Sequence, residues 1–182
     1  MGCTCSFLTS VLVSVVCEDH KDASTVQAMI QRDYILRLID QLGALLRALL
    51  SSEDHVKRPE KPISDTAQLD VALEKSCQEA IGLSLRTINE MPPDKLMELL
   101  RSGGATWVGR CFFVGRVFEC GAEIARHLKQ GERAKESAEK ALYFYNFLCS
   151  NPEVPHEYRV EERFEHAAKL LAAFDPRSSR DT

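Results

Sequence analysis

Histidine is the side chain best suited to proton transfer near neutral pH, and two of the five histidines have a carboxylate at a useful distance along the chain. Glu123 and His127, and again Glu162 and His166, stand four residues apart, so on a helix each pair shares a face. Such a pair could orient a general base or contribute to a metal site. The same spacing is also that of an ordinary ion-pairing face on an exposed helix, and this is the reading favoured. The di-iron arrangement, a glutamate and a histidine three residues apart on each of two helices, is missing. So is the zinc-protease pattern of two histidines flanking a glutamate. No catalytic residue, metal ligand or cofactor is assigned.

The segment Gly104-Ala105-Thr106-Trp107-Val108-Gly109-Arg110-Cys111 has the glycine spacing of a phosphate-binding loop. Arg110 replaces the required lysine, Cys111 replaces the magnesium-binding hydroxyl, and no strand-like run precedes them. A Gly-Gly turn followed by a helix start is the simpler reading, with a weak anion site beside Arg110 as the alternative. No serine lies in a glycine-flanked elbow, and no cysteine has a histidine partner recognisable in sequence. The seven cysteines never show the two-residue gap of a zinc knuckle. Cys77, Cys111 and Cys149 fall on apolar stripes, where a reduced thiol acts as a small hydrophobe, and this implies a reducing compartment.

One constellation suggests recognition instead of catalysis. Tyr143, Phe144, Tyr145 and Phe147 wrap more than one face of a single helix. Either that helix is buried on two sides, or some of the four rings are left for a protein partner. These are the candidate partner-binding residues. A net charge of -4, with no dense Lys/Arg cluster, argues against nucleic acid as partner. The longest basic stretch, Lys57-Arg58-Pro59-Glu60-Lys61, is interrupted by Glu60 and reads as a solvated linker.

The elements that position these residues read as helices throughout. A chain of 182 residues can bury roughly 70% of its unfolded surface in one core without disulfides or metal. Over residues 34–50, Ile35, Leu38, Ile39, Leu42, Leu45, Leu46 and Leu49 recur with a 3.6-residue period. A polar, proline-containing loop follows over 51–63. Asp65, with Gln68 three residues on, is the expected N-cap of a helix carrying Leu69, Leu73, Cys77, Ala80 and Ile81 and ending at Gly82. Pro92-Pro93-Asp94 announces a short helix bearing Leu96, Met97, Leu99 and Leu100, stopped by Gly103-Gly104. The next is expected from Thr106, as N-cap, to Gln130, with Trp107, Cys111, Val114, Phe118, Ala122, Ala125 and Leu128 inward. Along it Gly109, Gly115 and Gly121 permit close approach, and Gly131 is the expected left-handed stop. A helix with Ala134, Ala138, Ala141, Leu142, Tyr145, Leu148 and Cys149 inward follows at once and ends at Asn151-Pro152. Pro155 is expected to open the last helix, with Val160, Phe164, Ala167, Ala168, Leu171 and Phe174 inward. The fold class is all-α, about six helices in antiparallel hairpins, with one domain over 29–176 and a disordered tail over 177–182.

Ala122, Ala125, the turn Lys129-Gln130-Gly131, Lys140-Ala141-Leu142 and Pro152 together resemble a tetratricopeptide-type unit. The likeness covers about one repeat, and the Lys-Ala-Leu element arrives about two residues early. It implies a tetratricopeptide-like C-terminal helix pair and not a superhelical array. The run Met29-Ile30-Gln31-Arg32-Asp33-Tyr34-Ile35-Leu36-Arg37-Leu38-Ile39 resembles the opening of an uncharacterised family of small bacterial helical proteins. That likeness implies a helical fold and a cytoplasmic setting and carries no catalytic residues.

Residues 1–28 form an extension with several readings. Gly2, with Ser6 at the expected place and Cys3 and Cys5 beside it, fits dual lipidation, and membrane attachment would follow only from that. The apolar run Phe7 to Val16 is long enough for a signal peptide, but no Lys or Arg precedes it. A translation start at Met29, or a passive extension, is the favoured reading. Taken together, the residues lead to the expectation of a cytoplasmic, non-catalytic interaction or adaptor module acting through a helical hairpin, with an unidentified protein partner and homo-oligomerisation open. The alternatives are a ligand-binding or catalytic site built from His and Glu on the C-terminal helices, and a lipid-anchored peripheral protein.

Overall fold

The computed structural model describes residues 29–44, 47 and 62–174. Gly2, Cys3, Cys5 and the tail over 177–182 lie outside the described residues, as do the side chains of Asp65, Gln68 and Leu69. Among the described residues there are seven α-helices and no strand, so the all-α class holds, with one helix beyond the six or so expected. The helices are α1 (29–44), α2 (Pro62–Ile81), α3 (Leu85–Glu90), α4 (Pro93–Arg101), α5 (Trp107–His127), α6 (Gly131–Cys149) and α7 (Val160–Ala172). None is long and apolar enough to cross a membrane.

The unexpected helix is α3. Its six residues are too few to show a period, but its cap is visible in the residue types. Ser84 Oγ accepts from the backbone N–H of Thr87 at 3.0 Å and lies 2.8 Å from the Thr87 hydroxyl. Ile88 then anchors the turn in the core.

Three expected boundaries moved, and at Thr106 the helix starts where expected but without the expected capping bond, each for a local reason. Helix α2 begins at Pro62 and not after Asp65, since a proline at a helix start loses no hydrogen bond and has φ already set. Thr106 makes no capping bond, because the chain enters α5 through a tight turn over Gly104–Thr106, with Gly104 at φ +73°. Gly131 is not the left-handed stop of α5. That residue is Lys129, at φ +59°, within a paired closure in which Gln130 N–H bonds to Ala125 O and Lys129 N–H to Arg126 O. Gly131 instead opens α6. Pro155 leads into a short 3-10 turn, His156–Tyr158, and α7 starts only after Arg159, whose φ of +50° re-aims the chain.

Helix α5 is the centre of the molecule. Every residue from Cys111 to Cys120 is buried, whereas a surface helix would hide one stripe. Its partner α6 follows after three residues and runs the other way. Contacts pair Trp107 with Phe147, Phe118 with Phe144 and Gly121 with Ser137, falling on one helix as they rise on the other. The glycines explain how close the two come. A Cβ on Gly115 would stand 2.7 Å from Tyr145 Cε1, so the buried ring occupies the space a side chain would need. Ile35, Leu38, Ile39 and Leu42 of α1, Leu73 and Cys77 of α2, and Leu96, Met97 and Leu100 of α4 complete the core as their periods require. Leu99, Leu128 and Cys149 were expected inward and are exposed, while Leu142 is half-buried. Each of the three exposed residues stands on the outer flank or at the end of its helix.

Candidate functional site

Three charged residues interrupt the buried length of α5. Arg116, Glu119 and Glu123 are 5%, 2% and 6% exposed, at positions i, i+3 and i+7 of one helical face. Ionised groups at that depth persist only when paired, and all three are. Arg116 Nη1 pairs with Glu119 Oε1, and the Tyr145 hydroxyl of α6 donates to Glu119 Oε2 at 2.6 Å. Helix α7 closes the group from outside, with Arg163 Nη1 3.5 Å from Glu119 Oε1. His166 Nε2 is 3.1 Å from Glu123 Oε1 and 3.6 Å from Glu119 Oε1. Arg126 Nη2 sits 2.6 Å from Glu123 Oε2. Arg116 Nε is buried without a hydrogen-bond partner.

The electrostatics follow from these contacts. The hydrogen bond with His166 holds the Glu123 carboxyl below its ordinary range, Arg126 adding to the effect and burial opposing it. Burial, followed by the charge of Glu119, raises the Tyr145 phenol well above its ordinary value, so it remains a hydrogen-bond donor. A general base must reach a substrate proton directly or through one water. Here the carboxylates lie inside and each is occupied by two or more donors, while the exposed rim consists of the donors Arg126, Arg163 and His166. The arrangement is a clasp in which Arg163 and His166 of α7 and the Tyr145 phenol of α6 are all tied to the carboxylates of α5.

Glu123 and His166, which belonged to different expected pairs, are brought together by the fold. Glu162 does not pair with His166 but with Arg159, at 2.6 Å. His127 lies exposed at the end of α5 and His156 exposed in the turn before α7, both outside the clasp. Arg116, Glu119, Arg163 and the Tyr145 hydroxyl were missed. The available signal was the set Arg116, Glu119 and Glu123 inside an otherwise apolar, glycine-containing helix, where charge on the inner face demands partners. Among the described residues, no group of three or more His, Cys, Asp or Glu is arranged to hold a metal ion.

The aromatic set divides. Phe144 and Tyr145 are fully buried and have no surface to offer, which corrects their place among the candidate partner-binding residues. Phe144 packs on Phe118 at 5.9 Å between ring centres. Tyr143 is 42% exposed on the outer face of α6. Phe147, one turn further on, is half-buried, edge-on to Trp107 at 6.0 Å, with the Arg101 guanidinium 5.5 Å above its ring. These residues form an amphipathic strip where α6 passes the end of α4 and the start of α5.

A cavity of about 220 Å³ opens between the start of α1, the turn before α5 and the connection into α7. Met29, Val108 and Pro155 supply apolar wall, and Arg32, Thr106 and Tyr158 supply polar groups. The clasp residues are not among its lining. Arg110, set beside the glycine turn in the sequence, places its guanidinium where a Cβ on Gly103 would stand, so a side chain there would have to displace it.

No family model, no curated protein and no solved structure matches this chain.

Proposed function

We propose that the chain is a non-catalytic protein-interaction or adaptor module that acts through the outer face of the α5–α6 hairpin. The observation that carries this reading is Tyr143, a large ring 42% exposed on α6, one turn from the half-buried Phe147, whose ring meets Trp107 of α5. Aromatic rings held at low conformational cost are the usual anchors of protein interfaces. The tetratricopeptide-type likeness of the same hairpin points the same way. The four described cysteines, all free thiols, fit a reducing setting such as the cytoplasm.

A catalytic or ligand site on the C-terminal helices would draw on the Glu123–His166 contact. It loses that support because both carboxylates are enclosed and fully paired. The experiment is capture from the native host by the immobilised full-length chain, comparing Tyr143→Ser with Val71→Ser, an equally surface-directed change on α2. A protein retained by the native chain and by Val71→Ser, and lost by Tyr143→Ser, is the expected result. Retention by all three, or by none, contradicts the proposal.

A further inference from the structure

We infer that the strip along α6 accepts an amphipathic segment of a partner protein, with a carboxylate set against Arg101, an ammonium set against Glu139, and apolar side chains between them on Tyr143 and Phe147. The inference rests on the adaptor reading and adds to it the chemistry and orientation of the partner.

Glu139, Tyr143 and Phe147 stand at i, i+4 and i+8 of α6, so they form one stripe about 12 Å long at a rise of 1.5 Å per residue. Arg101 covers the Phe147 end. It pairs with no carboxylate among the described residues, whereas its exposed neighbour Glu98 is held by Lys95 at 3.5 Å. At the other end Glu139 pairs with no cation among the described residues, and the nearby Lys140 is committed to Glu136 and to the Asn89 carbonyl. The stripe therefore has an apolar middle, Arg101 without a carboxylate at one end, and at the other Glu139 without an ion-pair partner within 4 Å, the exposed Lys135 standing one turn further back. Opposite charges on a docking segment would answer both, and like charges would be repelled, which fixes direction more than affinity. A helix of three turns spans this distance, and such a segment laid along a groove is a recurrent mode of recognition.

Trp107 is the chain's single tryptophan and touches Phe147, so its emission reports on the strip. The probe is a helix-forming peptide of about 14 residues, without Trp or Tyr, carrying leucines on one face, glutamates at one end and lysines at the other. Titrated into the full chain, it should shift Trp107 emission to saturation. Arg101→Glu should weaken binding roughly fivefold, as expected for exposed charges at an interface rim. Arg101→Glu combined with Glu139→Lys should restore it, because the peptide can then bind in the reverse direction. Both positions are exposed, and circular dichroism checks that the fold is kept. Equal affinity for all three chains, or no rescue in the double variant, overturns the inference. So does a Trp107 shift that follows chain concentration without peptide, which would make a second copy the occupant. If the charge dependence fails while the Tyr143-dependent capture holds, the partner's chemistry is wrong and the adaptor reading stands. If both fail, the strip is not a docking surface.

Discussion

Gly115→Ala should destabilise the chain although alanine is the better helix former. The added Cβ would meet Tyr145 at 2.7 Å from Cε1 and 3.2 Å from Cδ1 and Cζ. The ring cannot retreat, for it is fully buried, packs near Phe112, and is tied through its hydroxyl to Glu119 at 2.6 Å. Replacing glycine within a helix gains about 1 kcal/mol, and overpacking a tight core costs about 1 to 3 kcal/mol. The net expectation is a loss of about 2 kcal/mol, taking the upper end because the ring is held on several sides. In a Tyr145→Leu background the obstruction is gone, and the same substitution should become neutral or stabilising by up to about 1 kcal/mol. The coupling between the two positions should thus approach about 3 kcal/mol. Urea denaturation of the four chains, followed by far-ultraviolet circular dichroism, measures it. A neutral Gly115→Ala in the native background, or the same cost in both backgrounds, would refute the proposed contact between α5 and α6.

Three further outcomes are expected. Phe118→Ala should cost about 3 to 5 kcal/mol in the same denaturation assay, whereas Leu142→Ala, at a half-buried position, should cost about 1 to 2 kcal/mol. Under native conditions a thiol reagent should modify exposed Cys149 first. Burial pushes Cys77 and Cys111 up to about 12 and Cys120 to about 11, so these should react only after unfolding, and fast labelling of any of the three would contradict their placement. The folded value of Glu123 lies below its unfolded one, so its stabilising contribution is complete above the ordinary carboxylate range, about 4.3, and fades as pH falls through the folded value. Glu123→Gln should therefore cost about 1.5 to 3 kcal/mol at neutral pH and flatten the acid limb of the stability profile; an unchanged acid limb would show that the clasp contributes nothing there.

The helices were legible wherever period and length reinforced each other. The described inward positions of α1 and α2, and those of α6 as far as Leu148, follow from their apolar spacing, whereas α5 is buried on every side over Cys111 to Cys120, which a single stripe does not foretell; the α5–α6 hairpin follows from the short turn between them. Boundaries were harder, because several residues can stop or start a helix and the tertiary fold chooses among them. Lys129 adopts the left-handed conformation that the neighbouring Gly131 was better suited to, as the paired closure on Ala125 and Arg126 sets the position of the turn. The clasp was half legible. Glu123 and His166 stood out by type, but i,i+4 spacing pointed each to a neighbour on its own helix. The fold instead pairs them across 43 residues, a separation no local pattern encodes. The aromatic cluster on α6 was visible by composition, and only packing could divide it, sending Phe144 and Tyr145 inward and leaving Tyr143 outside.

Photocrosslinking inside the native host asks whether the outer face of α6 meets another protein. A photoreactive phenylalanine analogue placed at position 143 of the full-length chain should join it to one discrete partner. The same analogue at Val71, exposed on α2, should not yield that product. Crosslinks of equal pattern from both positions, or none from position 143 while the fold is intact, would show that this face holds no partner of its own.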